Sequence, residues 1–310
     1  MPQYAFFNNK FVPIDEAKVS VMTHAMHYGT ACFEGIRGNW NAEQGQMYLF
    51  RVADHYTRLL QSCKILQIQL PYDVKKMVDI TVELVEKCGL KEDVYVRPLA
   101  YKSSEVIGVR LHNLDAALTV FMVPFGNYLD VTKGIRACVS TWRRIDDNMI
   151  PPRAKITGLY VNSALAKSEA AANGYDEAIL LTREGHVSEG SGENLFLVMD
   201  GKLVTPPPYD NILVGITRDT VMELARNELG LETEERCVDR TELYLAKECF
   251  LTGTAAHLTP VLEIDNRPVG DGQVGPIGRR LQELYFDVVR GRNRKYLGWC
   301  TPAYSKLVKA

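Results

Sequence analysis

The stretch that decides the fold of this 310-residue chain reads Pro151-Pro152-Arg153-Ala154-Lys155-Ile156-Thr157-Gly158-Leu159-Tyr160. It sets one lysine among small and apolar residues at the start of a predicted helix. Desolvation lowers the pKa of an amine and frees its lone pair, so Lys155 is a candidate for Schiff-base chemistry. Most lysines are solvated surface residues, and taken alone this stretch favours that interpretation.

A second run, Ser188-Glu189-Gly190-Ser191-Gly192-Glu193-Asn194, is acidic and rich in glycine. A carboxylate from this run and the phenol of Tyr160 are the groups that a pyridine-ring aldehyde cofactor requires from its protein. The two stretches together therefore make a cofactor site the hypothesis that the rest of the chain has to support.

The composition excludes several other classes of protein. Hydrophobic residues make up 46% and charged residues 24% of the chain, which is typical of a soluble globular protein, and the length predicts two domains. The net charge of −2 gives no reason to expect nucleic acid or an anionic membrane as a partner. Seven cysteines without a C-x-x-C pair, and a start without a signal peptide, predict reduced thiols and a cytoplasmic location. The histidines show no metal-ligand spacing.

Strand and helix signals are mixed without a strict βαβ rhythm, which predicts an α+β fold. The clearest helices are expected over 74–88, before Gly89, and over 217–229, with Thr217 as N-cap and Gly230 at the end. The Pro, Gly and Asn of 124–128 indicate a linker. We therefore predict a small N-terminal domain over 1–124, a linker loop over 125–135 and a large domain over 136–310.

One glycine-rich motif is rejected. The run Gly270-Asp271-Gly272-Gln273-Val274-Gly275 matches G-x-G-x-x-G, but dinucleotide binding also needs a βαβ unit and a later acidic residue. Neither follows, so the run is expected to be a turn before the last helix.

Other candidate positions have two interpretations each when taken singly. Gly215 precedes a helix N-terminus that could bind an anion or could simply be a capped helix. The turn Gly253-Thr254-Ala255 could offer donors to an anion or only need small side chains. Tyr95 and Arg97 alternate along a strand and share one face, where they could recognise a carboxylate or be exposed to solvent.

The joint order of these segments resembles that of a known family. Tyr28-Gly29-Thr30-Ala31-Cys32-Phe33-Glu34-Gly35-Ile36-Arg37 comes first, followed by Arg58, Tyr95-Val96-Arg97-Pro98, Lys155 with Tyr160, Ser188-Glu189-Gly190, Gly215-Ile216-Thr217-Arg218 and Gly253-Thr254-Ala255. This order resembles the fold-type-IV pyridoxal-phosphate enzymes, and most closely the branched-chain amino acid aminotransferases. The resemblance covers nearly the whole chain. It implies a small α/β-sandwich-like N-terminal domain and a larger mixed-sheet pseudo-barrel domain.

The resemblance also implies roles for single residues. Lys155 would bind pyridoxal 5'-phosphate as a Schiff base and shuttle the proton at the substrate α-carbon. Glu189 would pair with the pyridine nitrogen, and Tyr160 would donate to the ring oxygen. The phosphate would be held by Arg58, by the backbone of Ile216 and Thr217, and by Thr254.

The substrate pocket and the assembly follow from the same resemblance. The pocket would be lined by Phe33, Tyr95, Arg97, Tyr128, Thr254 and Ala255. Tyr28, Ile107 and Val109 would come from a neighbouring subunit, so the active unit would be at least a homodimer. Leu, Ile, Val and Glu, with their 2-oxo acids, are the implied substrates in a ping-pong transfer.

Two departures from the family pattern bear on the substrate. Phe125 stands where relatives usually have tryptophan, and Gly38-Asn39 stands where an aromatic residue is common. Both could widen the pocket, which motivates a secondary (R)-amine activity. The alternatives on the same fold are D-amino acid transaminase, (R)-amine transaminase and aminodeoxychorismate lyase. A catalytically silent cofactor-binding protein is a further alternative, and the intact set of Lys155, Tyr160 and Glu189 argues against it.

Overall fold

The structure of the protein, a computed structural model, describes residues 3–126, 129, 130 and 132–305. In these residues the strands, in chain order, are β1 (Tyr4–Phe7), β2 (Lys10–Pro13), β3 (Ala31–Phe33), β4 (Ile36–Asn41), β5 (Gln46–Phe50), β6 (Val94–Lys102), β7 (Ala116–Pro124), β8 (Ile135–Arg143), β9 (Glu177–Leu181), β10 (Val187–Gly190), β11 (Asn194–Met199), β12 (Lys202–Thr205), β13 (Thr233–Glu235), β14 (Glu248–Gly253), β15 (His257–Ile264), β16 (Arg267–Pro268) and β17 (Cys300–Pro302).

The α-helices of the same residues are α1 (His24–Tyr28), α2 (Val52–Ile65), α3 (Val74–Cys88), α4 (Tyr160–Ala172), α5 (Ile216–Leu229) and α6 (Pro276–Val289). Short 3-10 helices lie at Ile14–Glu16, Thr157–Leu159, Pro208–Asp210, Arg240–Tyr244 and Arg294–Trp299. None of the helices in these residues is both long enough and apolar enough to cross a membrane.

Helix α3 shows how local sequence sets the ends of an element. The Asp73 side chain accepts a hydrogen bond from the Lys76 N–H at 2.7 Å and so caps the first turn. Gly89 ends the helix in the left-handed conformation at φ +62°, which glycine adopts without steric cost. Met77 and Leu84 recur on the buried face between these ends. The predicted helix over 74–88 is therefore confirmed.

The chain divides into two compact units. Of the described residues, the first unit contains those up to Gly126, the segment Ala154–Gly158 and those from Asp287 onward, and the second unit contains the rest. The division drawn from the sequence differs for two segments, because it assigns 154–158 and 287–305 to the C-terminal domain. The short segment pairs with β3 through a Cys32–Ile156 bridge, and β17 pairs with β5, so both belong to the first unit.

The first unit is built on an antiparallel sheet. Its order is β17-β5-β4-β6-β7-β1-β2, and β3 also pairs with β6. Helix α3 packs on β1 and β7, and α2 packs on α3 and β3. The Asn8-Asn9 turn joins β1 to β2 with both residues at positive φ, as expected for a hairpin turn.

The second unit is built on a mixed sheet. Its order is β10-β9-β8-β15-β14-β11-β12-β13, and β16 pairs with the edge of β15. Strand β8 runs parallel to β9 and β15, whereas β11, β14 and β15 are antiparallel neighbours. The core includes Leu195, Leu197 and Leu251. Helices mixed with two such sheets give the α+β fold that the sequence predicts, and residues 270–275 form the expected turn before α6.

Gly29 tests how closely the segment around Lys155 approaches its neighbours. It ends α1 at φ +61°, and a Cβ there would lie 2.8 Å from the Gly158 Cα. Gly230 ends α5 at the same φ, but a Cβ there would meet no atom within 4 Å. We expect Gly230→Ala to lower the free energy of unfolding by about 1 kcal/mol through backbone strain alone.

Gly29→Ala should cost at least about 1 kcal/mol more, because backbone atoms must also move apart. Urea unfolding of the two variants beside the parent chain measures the difference. Equal losses would show that the approach of Gly29 to Gly158 is not tight.

Candidate active site

Lys155 is held by backbone hydrogen bonds within the first unit. Its carbonyl accepts the Phe33 N–H at 3.0 Å, and its own N–H donates to the Ser62 Oγ at 3.1 Å. The Thr157 hydroxyl donates to the Gly29 carbonyl at 3.0 Å. These bonds fix the backbone on both sides of the lysine, while the side chain is half-buried and its ammonium lies 4.9 Å from the centre of the Phe33 ring. The lysine is thus oriented by a strand pairing and not by its own helix.

Arg58 is oriented by a buried carboxylate. Its Nε and Nη2 donate to the two carboxylate oxygens of Glu34 at 2.7 and 2.9 Å, and His55 Nδ1 lies 2.7 Å from the same carboxylate. Burial alone would raise the pKa of Glu34, but the charges of Arg58 and His55 outweigh it and hold that pKa well below its usual range. Burial lowers the pKa of His55, although Glu34 opposes the shift.

Glu34 was missed as a site residue by the sequence analysis, although it lies in the quoted N-terminal motif. The available signal was its position between the strands β3 and β4, since a glutamate that is buried there needs a partner for its charge. The structure shows the partner, because both oxygens of this fully buried side chain face Arg58.

Two cations lie close to the Phe33 ring. The guanidinium carbon of Arg97 is 4.4 Å from the centre of its ring, and the Lys155 ammonium also faces this ring. Arg97 donates to the Tyr95 hydroxyl at 3.2 Å, which confirms that the two residues share a face of β6. A Cβ at Gly35 would lie 1.8 Å from that hydroxyl, so only glycine admits Tyr95 here. Phe33, Tyr95, Arg97 and Lys155 are therefore brought together.

The expectation that Gly38 widens the pocket is wrong. A Cβ at Gly38 would lie 2.6 Å from the Val94 Cγ2 and 2.9 Å from the Met47 Sδ, and both of these residues are fully buried. Glycine at this position therefore makes room for the core of the sheet. Phe125 does lie beside the predicted pocket, because its ring centre is 5.1 Å from that of Tyr95 and 5.0 Å from the guanidinium carbon of Arg37.

The residues expected to reach a neighbouring subunit lie together on this chain. The Tyr28 hydroxyl accepts the N–H of Gly108, which lies between Ile107 and Val109. Ile107 is 61% exposed and Val109 is 90% exposed, so these apolar side chains find little cover within the chain. Tyr128, which the sequence analysis also placed in the pocket, lies outside the described residues.

Glu189 in the second unit is buried, and both of its carboxylate oxygens have partners. One carboxylate oxygen lies 2.6 Å from the Arg144 Nη2. The other accepts the Asn194 side-chain amide at 3.0 Å and the Leu213 N–H at 3.1 Å. A guanidinium on one side and two N–H donors on the other keep a carboxylate ionised. Arg144 is a site residue that the sequence analysis missed, since an arginine eleven positions before Lys155 carries no motif of its own.

The N-terminus of α5 is shaped by a close approach. The N-cap residue is Gly215, so the interpretation of Thr217 as the N-cap is wrong and Thr217 lies buried in the first turn. A Cβ at Gly215 would lie 2.0 Å from the Asn194 Oδ1, which explains the glycine. The same Asn194 side chain donates to Glu189 and to the Leu213 carbonyl. One amide therefore links the acidic residue to the start of the helix.

The remaining predicted residues of the second unit lie at element ends. Tyr160 is the first residue of α4, and Ile216 begins α5. Thr254 and Ala255 form the turn between β14 and β15 and are half-buried. A helix start without a side-chain cap and a turn of small residues both present backbone N–H groups, which suits a phosphate. No group of His, Cys, Asp and Glu side chains within the described residues could hold a metal ion.

Glu193 is a second buried carboxyl group in the acidic run. Its Oε2 accepts the Gly192 N–H at 3.0 Å, and Glu177, which pairs with Lys167 at 2.6 Å, contributes a nearby negative charge. Burial and the charge of Glu177 raise the pKa of Glu193 to about 8. A pKa of about 8 favours the protonated form of Glu193 near neutral pH.

The chain belongs to the class IV aminotransferase family, whose model matches residues 31–264. A probable branched-chain-amino-acid aminotransferase of Aquifex aeolicus is 52% identical over 98% of this chain and 97% of its own length. The branched-chain-amino-acid aminotransferase of Escherichia coli K12 is 40% identical over 96% of each chain.

Solved structures give the same result. A branched-chain aminotransferase of Thermoproteus uzoniensis with norvaline superposes with a TM-score of 0.94 at 46% identity, covering 98% of this chain and all of that one. The T.th. branched-chain amino acid aminotransferase in complex with N-(5'-phosphopyridoxyl)-L-glutamate superposes with a TM-score of 0.93 at 44% identity, covering 98% and 99%. The predicted family and fold class are confirmed.

Glu34→Gln tests the carboxylate that orients Arg58. Gln keeps the volume but leaves the guanidinium without its charge partner, so we expect the free energy of unfolding to fall by about 3 kcal/mol. Glu83→Gln is the control, because Glu83 and Lys87 form an exposed pair 3.9 Å apart, which contributes little. Chemical unfolding of both variants measures the losses. A Glu34→Gln loss as small as that of the control would contradict this account.

Glu193→Gln tests the neutral carboxyl group through pH. The folded-state pKa is about 8, whereas an unfolded Glu has a pKa of about 4.3. Between these values the folded chain binds the extra proton, so this group makes stability fall as pH rises. The midpoint of thermal unfolding should therefore drop more for the parent chain than for Glu193→Gln between about pH 5.5 and about pH 8.5.

The exposed Glu92 provides the matched control, and Glu92→Gln should follow the parent chain at both pH values. Parallel curves for the parent chain and Glu193→Gln would show that Glu193 is already ionised at the lower pH.

Proposed function

We propose that this chain is a transaminase that moves the amino group between branched-chain L-amino acids and 2-oxoglutarate, with pyridoxal 5'-phosphate as cofactor. The observation that carries the proposal is the presentation of Lys155. Its backbone is fixed by Phe33 and Ser62, and its ammonium faces the ring that Arg97 faces as well. A reactive amine is thus set beside a cation that can receive a carboxylate.

The residues suit the cofactor in their chemistry. Arg58, the α5 N-terminus with Ile216 and Thr217, and the Thr254 turn are donors of the kind that hold a phosphate dianion. Tyr160 is a phenol donor for the ring oxygen. Bound pyridoxal phosphate supplies an electron sink for the negative charge that develops at the substrate α-carbon.

The protein's own groups then handle the proton and the charge. Lys155 would take the proton from the substrate α-carbon and deliver it to the aldehyde-derived carbon of the cofactor, as a general base and then a general acid. With the cofactor bound, Glu189 would hold a proton at the ring nitrogen, and Arg144 and Asn194 orient the Glu189 carboxylate for that task. Glu34 serves in the same way for Arg58.

The pocket would take two kinds of side chain. Phe33 and Tyr95 offer apolar surface, while Arg97 and the Tyr95 hydroxyl offer donors for a carboxylate. One structure of the T.th. relative holds a phosphopyridoxyl-glutamate and another holds 4-methylvaleric acid, so that protein binds an acidic and a branched apolar group. The same pair of properties is what exchange between leucine and glutamate needs. Ala255 and Tyr128 complete the proposed pocket.

The assembly that we propose is at least a homodimer in the cytoplasm. The exposed Ile107 and Val109 support it, because apolar side chains at the tip of a loop gain stability when a second copy covers them. Tyr28, which supports that loop through Gly108, would contribute to the neighbour's pocket together with them.

A half-reaction screen tests the function. The purified protein should be yellow, and L-leucine, L-isoleucine, L-valine and L-glutamate added singly should each shift the cofactor absorbance, because each transfers its amino group. Lys155→Ala should lower turnover by a factor of at least about 1,000, since the proton at the α-carbon then has no carrier. Lys91→Ala, an exposed lysine in the first unit, is the control and should keep full activity.

D-alanine and (R)-1-phenylethylamine belong in the same screen. Turnover of either one without turnover of L-leucine would assign the chain to another transaminase of this fold. An equally active Lys155→Ala variant would end the proposed mechanism.

A further inference from the structure

Lys102 is a buried lysine that the proposed mechanism does not use. It is the last residue of β6, and only 2% of its surface is exposed. Its ammonium donates to the Gln67 carbonyl at 2.5 Å. Burial lowers its pKa, as expected for an ammonium removed from water.

Within the described residues, no carboxylate oxygen lies within ion-pair distance of the Lys102 ammonium, and the ionisable group that does interact with it is the buried Cys63 thiol. An ammonium carries three N–H donors, and the Gln67 carbonyl uses one of them. A buried cation that lacks an anionic partner is costly, so such groups usually meet an anion or become neutral. The two remaining donors therefore call for an acceptor.

A purely structural role accounts for part of this arrangement. Gln67 follows the C-terminus of α2, where a cation interacts favourably with the helix dipole and with the last carbonyls. That role explains the one hydrogen bond. It does not explain why the wall that contains Lys102 borders an open cavity.

The cavity has a volume of about 500 Å³ and lies wholly in the first unit. Its polar lining consists of Lys102, Gln67, Gln69, His112, Asn113 and Asp115. Gln69, His112 and Asn113 are exposed and leave the cavity open to solvent, while Lys102 is its buried part. None of these residues belongs to the proposed cofactor site. The volume falls within the range of small-molecule pockets and far exceeds the roughly 30 Å³ of one water molecule.

The charges of the lining select the class of ligand. There is one buried cation, and Asp115 brings a carboxylate to the same cavity, where it is hydrogen-bonded to Ser104. A phosphate dianion would meet a single cation and a repelling carboxylate. A zwitterion places its own negative group on the cation and its positive group near the carboxylate.

We propose that this cavity binds a small polar α-amino acid. Its carboxylate pairs with the Lys102 ammonium, and its ammonium group donates to the Asp115 carboxylate and to amide oxygens of the lining. This binding is independent of the proposed transaminase reaction. It needs neither the cofactor nor Lys155.

Calorimetric titration of the holoenzyme with L-serine and with L-glutamine tests the proposal. The enzyme is first treated with borohydride, so that Lys155 is blocked and the amino acids cannot react. We expect one molecule of at least one of them to bind per chain. Lys102→Met should weaken that binding tenfold or more, as removal of a charged hydrogen-bond partner does. Lys102→Arg should retain most of it, and Lys91→Met, at an exposed lysine, should leave it unchanged.

Equal binding by the parent chain and Lys102→Met, or no binding of either amino acid, would overturn the proposal. Stronger binding of inorganic phosphate at the same place would overturn the class of ligand.

A second measurement does not depend on the variant being folded. Crystals of the unchanged holoenzyme soaked in sodium bromide should show an anomalous peak within hydrogen-bond distance of the Lys102 Nζ, and L-glutamine or L-serine should displace it. A bromide peak that neither amino acid displaces would mark an adventitious ion only and would overturn the amino-acid assignment. The lack of a peak would show that the ammonium is not open to anions and would overturn the proposal as well.

Discussion

The site depends on a short pairing between two distant parts of the chain. The Phe33 N–H donates to the Lys155 carbonyl, and the backbones of Cys32 and Ile156 form an antiparallel β-bridge. The Thr157 hydroxyl donates to the Gly29 carbonyl. Backbone hydrogen bonds of this kind fix position far better than a flexible side chain does, so the four-carbon stem of Lys155 starts from a defined point. The same pairing brings the Phe33 ring close to the Lys155 ammonium, and the Arg97 guanidinium lies close to the same ring. One strand contact thus aligns the amine, its aromatic neighbour and the second cation.

Buried charge is the second constraint, and the two units satisfy it in a similar way. Glu34 and Glu189 are both buried carboxylates that pair with an arginine, Arg58 in one case and Arg144 in the other. Such a pair gives little net stability, because desolvation offsets the attraction, but the loss of one partner is costly. This asymmetry suits a site residue, since each member holds the other in a single orientation. Among the described residues no arginine pairs with Glu193, and burial instead raises its pKa to about 8, which favours the uncharged form.

The helices and the fold class were largely predictable from sequence, whereas the contacts between side chains that are distant in the sequence were not. Capping and periodicity marked α3, because these signals are local. Thr217 was misplaced as a cap because a hydroxyl at a helix start is a strong local signal, whereas Gly215 is required by the distant Asn194. Gly38 was misread for the same reason, since its neighbours Met47 and Val94 come from other strands. The roles of Glu34 and Arg144 depend on their ion pairs with Arg58 and Glu189, which lie far from them in the sequence.

The closing strand of the first unit has a consequence for how the chain is made. Strand β17 pairs with β5 through Cys300 and Phe50, and the unit also needs the segment around Lys155. During synthesis the N-terminal sheet therefore stays incomplete until β17 has left the ribosome. Contacts between such distant residues are slow to form, and an unpaired β5 offers a free edge to other chains in the meantime. Helper proteins that shield nascent chains should thus matter more for the first unit than its position in the sequence suggests.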